Sequence, residues 1–317
     1  MINPKSKFID SHRLYKRFLP PVAPLGLAYI AAVLEANGVN VSIIDMFANK
    51  MSDKEILEII KNTRPEIIGL SVLTPVINDV TDLVSQIRSI NKEVKIILGN
   101  THPSCFPHQL LEKGLADIVV RGEGEITMAC LSKALSNGGN LAGVNGISYS
   151  LDGNIFHNPD GEIVESLDDL PHPAFHLLDL DRYKEFPLLS IYNRRFLPIS
   201  ASRGCPYQCY FCSQDKVSKS PRYRAIGQVV DEIEYFHQRF NIGYFCFTDA
   251  YFPFSESTGL EFCSEIIQRR LNKKIKWITE SRVDKVSKRL LEKMKKAGAA
   301  LIMYGVEVGN QEVLNRI

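Results

Sequence analysis

The 317-residue sequence has no apolar run near the roughly 20 residues of a membrane-spanning helix, and its N-terminus lacks the apolar stretch of a signal peptide. No membrane span is predicted, and the chain is expected in the cytoplasm. It also lacks an excess of charge: 38 Lys and Arg stand against 36 Asp and Glu, a formal net charge of +2. So even a balance gives no electrostatic footprint for nucleic acid. Gly122 and Gly124 are not followed by the third glycine of a GxGxxG fingerprint, so a nicotinamide dehydrogenase has little support. A disulfide framework fits poorly, because the seven cysteines are odd in number and Cys105, Cys130, Cys246 and Cys263 stand apart in apolar settings. Those four are expected to be small core residues.

The composition is 45% hydrophobic and 23% charged, that of an ordinary soluble globular chain long enough for two domains. Helical patterns over 25–37, 52–63, 78–90 and 108–113 alternate with strand patterns over 39–44, 67–72, 94–98 and 117–120. Strands separated by helices of this length imply parallel pairing with helices on both faces. The expectation for 1–142 is therefore an α/β, doubly wound, Rossmann-like domain. Ligands bind such sheets beyond the C-terminal strand ends. The loops predicted there are rich in small and polar residues, including Ser71, Thr74, Gly99, Gly122 and Gly124, although any α/β turn also calls for glycine.

The pattern then changes. Short strand-like pieces, Asp152-Gly153 and Asp160-Gly161 turns and a proline-bearing stretch at 170–174 predict a linker with a hairpin over 143–190. A second series has strands over 196–201, 244–248, 276–280 and 301–308 and helices over 226–239, 259–271 and 285–297. Four such units predict a partial (β/α) barrel over 191–317 with its site at the C-terminal strand ends. Within the basic run 285–296, Val286, Leu290, Leu291 and Met294 recur at helical spacing, so the lysines are read as a solvated face. Trp277 is expected in the core.

The remaining cysteines are Cys205, Cys209 and Cys212, in the segment SASRGCPYQCYFCS at 200–213. They fall on a loop leaving a predicted strand, where three thiolates can converge on one inorganic cluster. A closed structural zinc site wants four ligands, and no second cysteine pair or suitable histidine follows nearby. Three protein ligands on a four-iron cluster leave one iron open to a substrate or cofactor.

With Arg203-Gly204 before the first cysteine, Pro206 after it and Phe211 before the last, this segment resembles the signature of the radical S-adenosylmethionine superfamily. The resemblance implies a [4Fe-4S] cluster on Cys205, Cys209 and Cys212, with S-adenosylmethionine chelated to the fourth iron and Phe211 beside its adenine. Reductive cleavage of that sulfonium gives a 5′-deoxyadenosyl radical, which implies an electron donor such as flavodoxin or ferredoxin. The segments FTDAYF (247–252), ESRVD (280–284) and GVEVGNQ (305–311) are similar to those lining the S-adenosylmethionine pocket. They offer Asp249, Arg282 and Glu307 as its polar contacts, against the alternative that Asp249 and Arg282 form a structural ion pair.

Upstream, PPVAPLGLAY (20–29), GLSVLT (69–74), GNTHP (99–103) and VRGEGE (120–125), then GISY (146–149) and PHPAF (171–175), resemble the cobalamin-binding enzymes of that superfamily. The implied corrin contacts are Gly26, Gly99, Gly122 and Gly124 for close backbone approach, and Ser71 and Thr74 for the nucleotide tail. DSHRLY at 10–15 approaches the DxHxxG motif of other cobalamin proteins but has Tyr15 where glycine is expected. Neither His12 nor His102 is therefore expected to ligate cobalt. The family implies methylation of an unactivated carbon in a small-molecule or lipid-like substrate. The alternatives are a cobalamin-associated radical cyclisation, rearrangement or oxidation, or a non-catalytic fragment. Four barrel units against the family's usual six, and a first strand shortened to the residues before Pro4, lead to the expectation of a truncated chain.

Overall fold

The structure is a computed structural model that describes residues 1–11, 20–184, 194–212 and 220–316. The chain folds into two compact units, Met1–Glu165 with Leu170–Arg182, and Ser166–Asp169 with Tyr183–Ile317.

The first unit is built on β1 (Ile2–Asn3), β2 (Ile44–Asp45), β3 (Ile67–Ser71), β4 (Lys95–Gly99), β5 (Ile118–Val120), β6 (Ile147–Leu151) and β7 (Asn154–His157). They form one sheet in the order β2-β1-β3-β4-β5-β6-β7. The first five are parallel, and the hairpin β6–β7 continues the sheet antiparallel. The hairpin predicted within 143–190 is thus an extension of the first unit's sheet. An order of β2-β1-β3 puts a topological switch point at β1/β3, the place where open α/β sheets bind ligands.

Alternation along β4 shows why both faces are covered. Ile96 and Leu98 join a core with Ile56, Ile60, Leu83 and Ile87, whereas Ile97 points to a second core with Leu34, Met128 and Leu131. The helices Asp53–Thr63 and Ile77–Ile90 supply the first core, Leu25–Ala36 and Glu125–Ser136 the second. Ser52 begins the helix Asp53–Thr63 with a capping box, its hydroxyl accepting from Glu55 N while the Glu55 carboxylate accepts from Ser52 N. The strand predicted over 39–44 is reduced to β2, because β1 beside it is only two residues long.

The second unit has a parallel sheet of β8 (Phe196–Ile199), β11 (Tyr244–Phe247), β12 (Lys276–Ser281) and β13 (Ala299–Tyr304), neighbours in chain order. A separate antiparallel pair joins β9 (Ser202–Arg203) to β10 (Arg222–Tyr223). Helices Ile226–Phe240, Glu256–Gln268 and Lys288–Lys296 make the crossovers. Their core is aromatic: Phe247 stacks on Phe252 with ring centroids 4.1 Å apart, and Phe262 meets Trp277 edge-on at 5.2 Å. Trp277 is fully buried and donates its indole N–H to Ala297 O at 3.0 Å, so it is a core residue as expected. No helix among the described residues is long and apolar enough to cross a membrane.

All seven cysteines are free thiols. Cys263 is buried, and burial pushes its thiol up to about 12; Cys246 is half-buried and pushed up to about 11 for the same main reason. Cys130 corrects the sequence expectation: it is exposed on the helix Glu125–Ser136, whose inward face is filled by Met128 and Leu131.

Candidate functional site

In the second unit, the cysteine loop leaves the C-terminal end of β8. Its outgoing limb β9 and returning limb β10 pair, with Arg222 opposite Arg203 and Tyr223 opposite Ser202. Between them Gly204 takes φ +81°, and a Cβ there would run into the Ser220 carbonyl. Only glycine fits this crossing. Cys205 and Cys209 are half-buried and Cys212 is exposed; Cys212 N–H donates to Cys209 O at 3.0 Å, closing a tight turn around Tyr210 and Phe211.

Among the described residues, no three His, Cys, Asp or Glu side chains converge to hold a metal ion. The loop brings three free thiols within eight residues but not into a finished cage. Three free thiols have no attraction of their own that would gather them; metal binding supplies that free energy. The donor chemistry still suits an iron–sulfur cluster, since three soft ligands sit together on a half-exposed turn.

Below the loop lies Asp249, just past β11 and 5% exposed. Its carboxylate accepts from Ala201 N at 3.0 and 3.1 Å and from Ser202 Oγ at 2.5 Å. Burial nevertheless raises its pKa to about 6, with these bonds opposing the rise. Arg282 follows β12 and pairs with Asp284 at 2.9 and 3.3 Å, not with Asp249. Its guanidinium lies 3.9 Å from the centroid of Tyr207, inside the cysteine loop. Tyr207 also meets Tyr251, with ring centroids 5.7 Å apart, and the Tyr251 phenol is pushed up chiefly by burial. Phe211 is 60% exposed, and Glu307 is exposed in the loop beyond β13 at φ +59°. The structure thus gathers the cysteines, Asp249 and Arg282 around one loop. Phe211 and Glu307 stand on the surface.

Sequence reasoning missed Tyr207, Tyr251 and a buried cluster on the returning limb. Arg224, just past β10, pairs with the buried Glu232 at 3.1 Å and lies 3.5 Å from Asp168. It also donates to Ser200 O at 3.1 Å. The position of Tyr207 between two of the cysteines is a usable signal; Arg224 and Asp168 are too far apart in sequence to suggest one another.

In the first unit, Ser71, Thr74, Gly99 and Gly122 all lie at the C-terminal ends of β3, β4 and β5. Asn100 Nδ2 donates to Ser71 Oγ at 2.9 Å, Thr74 Oγ1 meets His102 Nδ1 at 3.1 Å, and Gly122 N–H donates to Ser104 Oγ at 3.0 Å. Burial lowers the His102 pKa. Leu73 and Phe106 are exposed on these same loops, 50% and 42%. Apolar side chains among small polar groups suit a broad apolar disc edged with amides. Gly26 is exposed with open space where a Cβ would be, whereas a Cβ at Gly124 would come within 2.6 Å of Ile30 Cδ1. Gly124 therefore serves the close packing of Leu25–Ala36 against Glu125–Ser136. His12 lies outside the described residues.

Comparison with known proteins agrees with this division. Residues 17–132 match the B12 binding domain and residues 199–317 the radical SAM superfamily. The chain is 31% identical over 296 residues to an uncharacterized methyltransferase of Pyrococcus horikoshii, covering 93% of this chain and 62% of that one. It is 32% identical over 302 residues to the anaerobic magnesium-protoporphyrin IX monomethyl ester cyclase of Rubrivivax gelatinosus, covering 93% and 53%. The solved structure of the cobalamin-dependent S-adenosylmethionine radical enzyme OxsB, with aqua-cobalamin and S-adenosylmethionine bound, is 26% identical with a TM-score of 0.81, over 99% of this chain and 44% of that one. The chain thus spans between about half and three fifths of the curated relatives' length. Carrying both matches in this order, on a fold shared with OxsB, the chain belongs to the cobalamin-binding radical S-adenosylmethionine enzymes.

Proposed function

We propose that this chain carries the cofactor-binding and radical-generating part of an enzyme that methylates an unactivated carbon of a small-molecule or lipid-like substrate. The observation that carries the reading is the CxxxCxxC loop, with three free thiols at the C-terminal end of the first strand of a parallel sheet. Cys205, Cys209 and Cys212 would hold a [4Fe-4S] cluster. Phe211, Arg282 and Glu307 would receive S-adenosylmethionine, the positive charge of Arg282 suiting a carboxylate. Cobalamin would lie along the strand ends of the first unit, with Gly26, Ser71, Thr74, Gly99 and Gly122 allowing its approach and hydrogen-bonding its edge. When bound, these cofactors supply a reductively generated carbon radical and a methyl carrier.

The reduction calls for an electron donor such as a flavodoxin or ferredoxin. Seven free thiols are chemically consistent with a reducing, cytoplasmic setting. In this reading 1–142, with the hairpin of 143–190 that extends its sheet, serves cobalamin, and 191–317 serves the cluster. The methyltransferase name of the Pyrococcus horikoshii relative supports methyl transfer, while the cyclase name of the Rubrivivax gelatinosus relative supports a radical cyclisation as the second reading.

The test is anaerobic reconstitution with iron and sulfide, then incubation with S-adenosylmethionine and a reductant. Wild type should release 5′-deoxyadenosine and Cys209→Ala should not. A cluster-loaded wild type that releases none overturns the radical assignment. A protein that binds no corrinoid, followed by its visible absorption, overturns the role given to the first unit. With a candidate substrate, a methyl group moved from labelled S-adenosylmethionine favours the first reading and a ring closed without label the second.

A further inference from the structure

We propose that Asp249 is a positioning residue that fixes the outgoing foot of the cysteine loop, rather than a ligand of S-adenosylmethionine. The proposal rests on the reading of that loop as a cluster site. Both Asp249 oxygens lie within hydrogen-bond distance of Ala201 N, at 3.0 and 3.1 Å, and Oδ1 also accepts from Ser202 Oγ at 2.5 Å. Ala201 and Ser202 are buried and directly precede Arg203, Gly204 and Cys205, and Ala201 is fully buried.

A carboxylate at 5% exposure loses its hydration, which costs several kcal/mol unless donors replace the water. Here the donors include Ala201 N and Ser202 Oγ of the loop's foot, beside the backbone of Asp249 itself. Charge-assisted bonds of this kind are about twice as strong as neutral ones. Bonds from two successive residues to one carboxylate fix the direction in which the chain leaves β8.

The surroundings agree. Ser200 Oγ donates to Ser202 O at 2.6 Å within the foot, and Thr248 N donates to Ile199 O at 2.9 Å, tying the ends of β8 and β11 just before Asp249. The returning limb is held separately: Arg224 N donates to Ala201 O at 2.9 Å and its guanidinium to Ser200 O at 3.1 Å. A buried acid at Ala201 and Ser202 and a buried base at Ser200 and Ala201, from different parts of the unit, thus hold the stretch Ser200 to Ser202 between them. Beyond this grip the loop turns at Gly204 and presents its thiols.

The experiment compares wild type, Asp249→Asn, Asp249→Glu and Ser202→Ala after anaerobic reconstitution. It measures iron and sulfide per folded chain, the rate of iron loss to a chelator, and S-adenosylmethionine affinity of the loaded fraction. Supporting groups behind metal ligands change metal affinity by roughly 10–100-fold. Asp249→Asn should lose iron at least about tenfold faster. Its loaded fraction should bind S-adenosylmethionine as wild type does, and Asp249→Glu should recover part of the retention. Ser202→Ala, which removes one donor and leaves Asp249 in place, should fall between wild type and Asp249→Asn.

Wild-type retention in Asp249→Asn overturns the proposal, as does a full cluster with weakened S-adenosylmethionine binding. Should Asp249→Asn fail to fold, Ser202→Ala decides, and wild-type retention there overturns the proposal. A wild type that takes up no iron overturns the cluster assignment and this inference with it; a loaded wild type matched by its variants overturns the inference alone.

Discussion

The two units fasten their strand-end loops by different means. In the first, the loops beyond β3, β4 and β5 are joined by bonds between neutral groups, two at the surface, Asn100 to Ser71 and Thr74 to His102, and one half-buried, Gly122 to Ser104. In the second, the foot of the cysteine loop is gripped by the buried Asp249 and by Arg224, whose side chain is 8% exposed. A neutral surface bond contributes about 1 kcal/mol and can be exchanged for water or for a ligand's amide. A buried charge cannot be exchanged without leaving its counterpart stranded. The first rim suits a large ligand met by many interchangeable contacts, and the second suits one short loop that must leave its strand in a fixed direction.

This contrast can be broken most sharply at Arg224. Arg224→Ala takes away the guanidinium paired with Glu232, which is itself 3% exposed, and should destabilise the second unit by roughly 3–5 kcal/mol. Denaturant unfolding checks it, and a loss below about 1 kcal/mol would place the pair with ordinary surface bridges.

The next largest effect is on pH dependence. Asp249 has a folded pKa raised from 3.8 to about 6, so the folded state disfavours its charged form. Its contribution is fully present below pH 3.8 and is lost as the pH rises through about 6. That rise corresponds to at most roughly 3 kcal/mol. The melting temperature of wild type minus that of Asp249→Asn should fall over that window; a flat difference breaks the assignment.

Gly204→Ala comes third. Its φ of +81° and the Ser220 carbonyl in the path of a Cβ should cost roughly 1–3 kcal/mol, read by thermal melting, and should slow iron uptake by displacing Cys205. Ser71→Ala is the smallest. Removing the hydroxyl that accepts from Asn100 Nδ2 at the surface should cost about 1 kcal/mol in denaturant unfolding and leave iron uptake unchanged. A larger cost there would show that the first rim is also built on indispensable contacts.

Much of this architecture is legible in periodicity. The helices around 53–63, 77–90 and 226–240 and the strands at 67–71, 95–99, 244–247 and 276–281 lie within a residue or two of where their patterns put them. Failures come where pattern is weak. The helix Glu125–Ser136 mixes Thr127 and a buried Glu125 with Met128 and Leu131, so its apolar stripe is faint and the sequence pattern does not reveal it. β1 has two residues and no period at all, yet it pairs with β2 on one side and β3 on the other. The hairpin β6–β7 is visible from its Asp152-Gly153 turn, but its pairing with β5 is not. Pairing depends on which strand edge is open, and that is a property of the assembled sheet.

The sequence by itself determined the cysteine loop, because its three thiols, its glycine and its aromatic neighbours lie within nine consecutive residues, 204–212, and local chemistry needs no fold to be legible. It also determined the two α/β units, since hydrophobic periodicity is a local signal. Only the tertiary structure decided which groups Asp249 and Arg282 bond. The sequence offers both as cofactor contacts or as partners of each other; the fold gives Asp249 to Ala201 and Ser202, and Arg282 to Asp284 and Tyr207. A carboxylate takes whichever donors the chain brings to it, and those donors lie nearly fifty residues away in sequence.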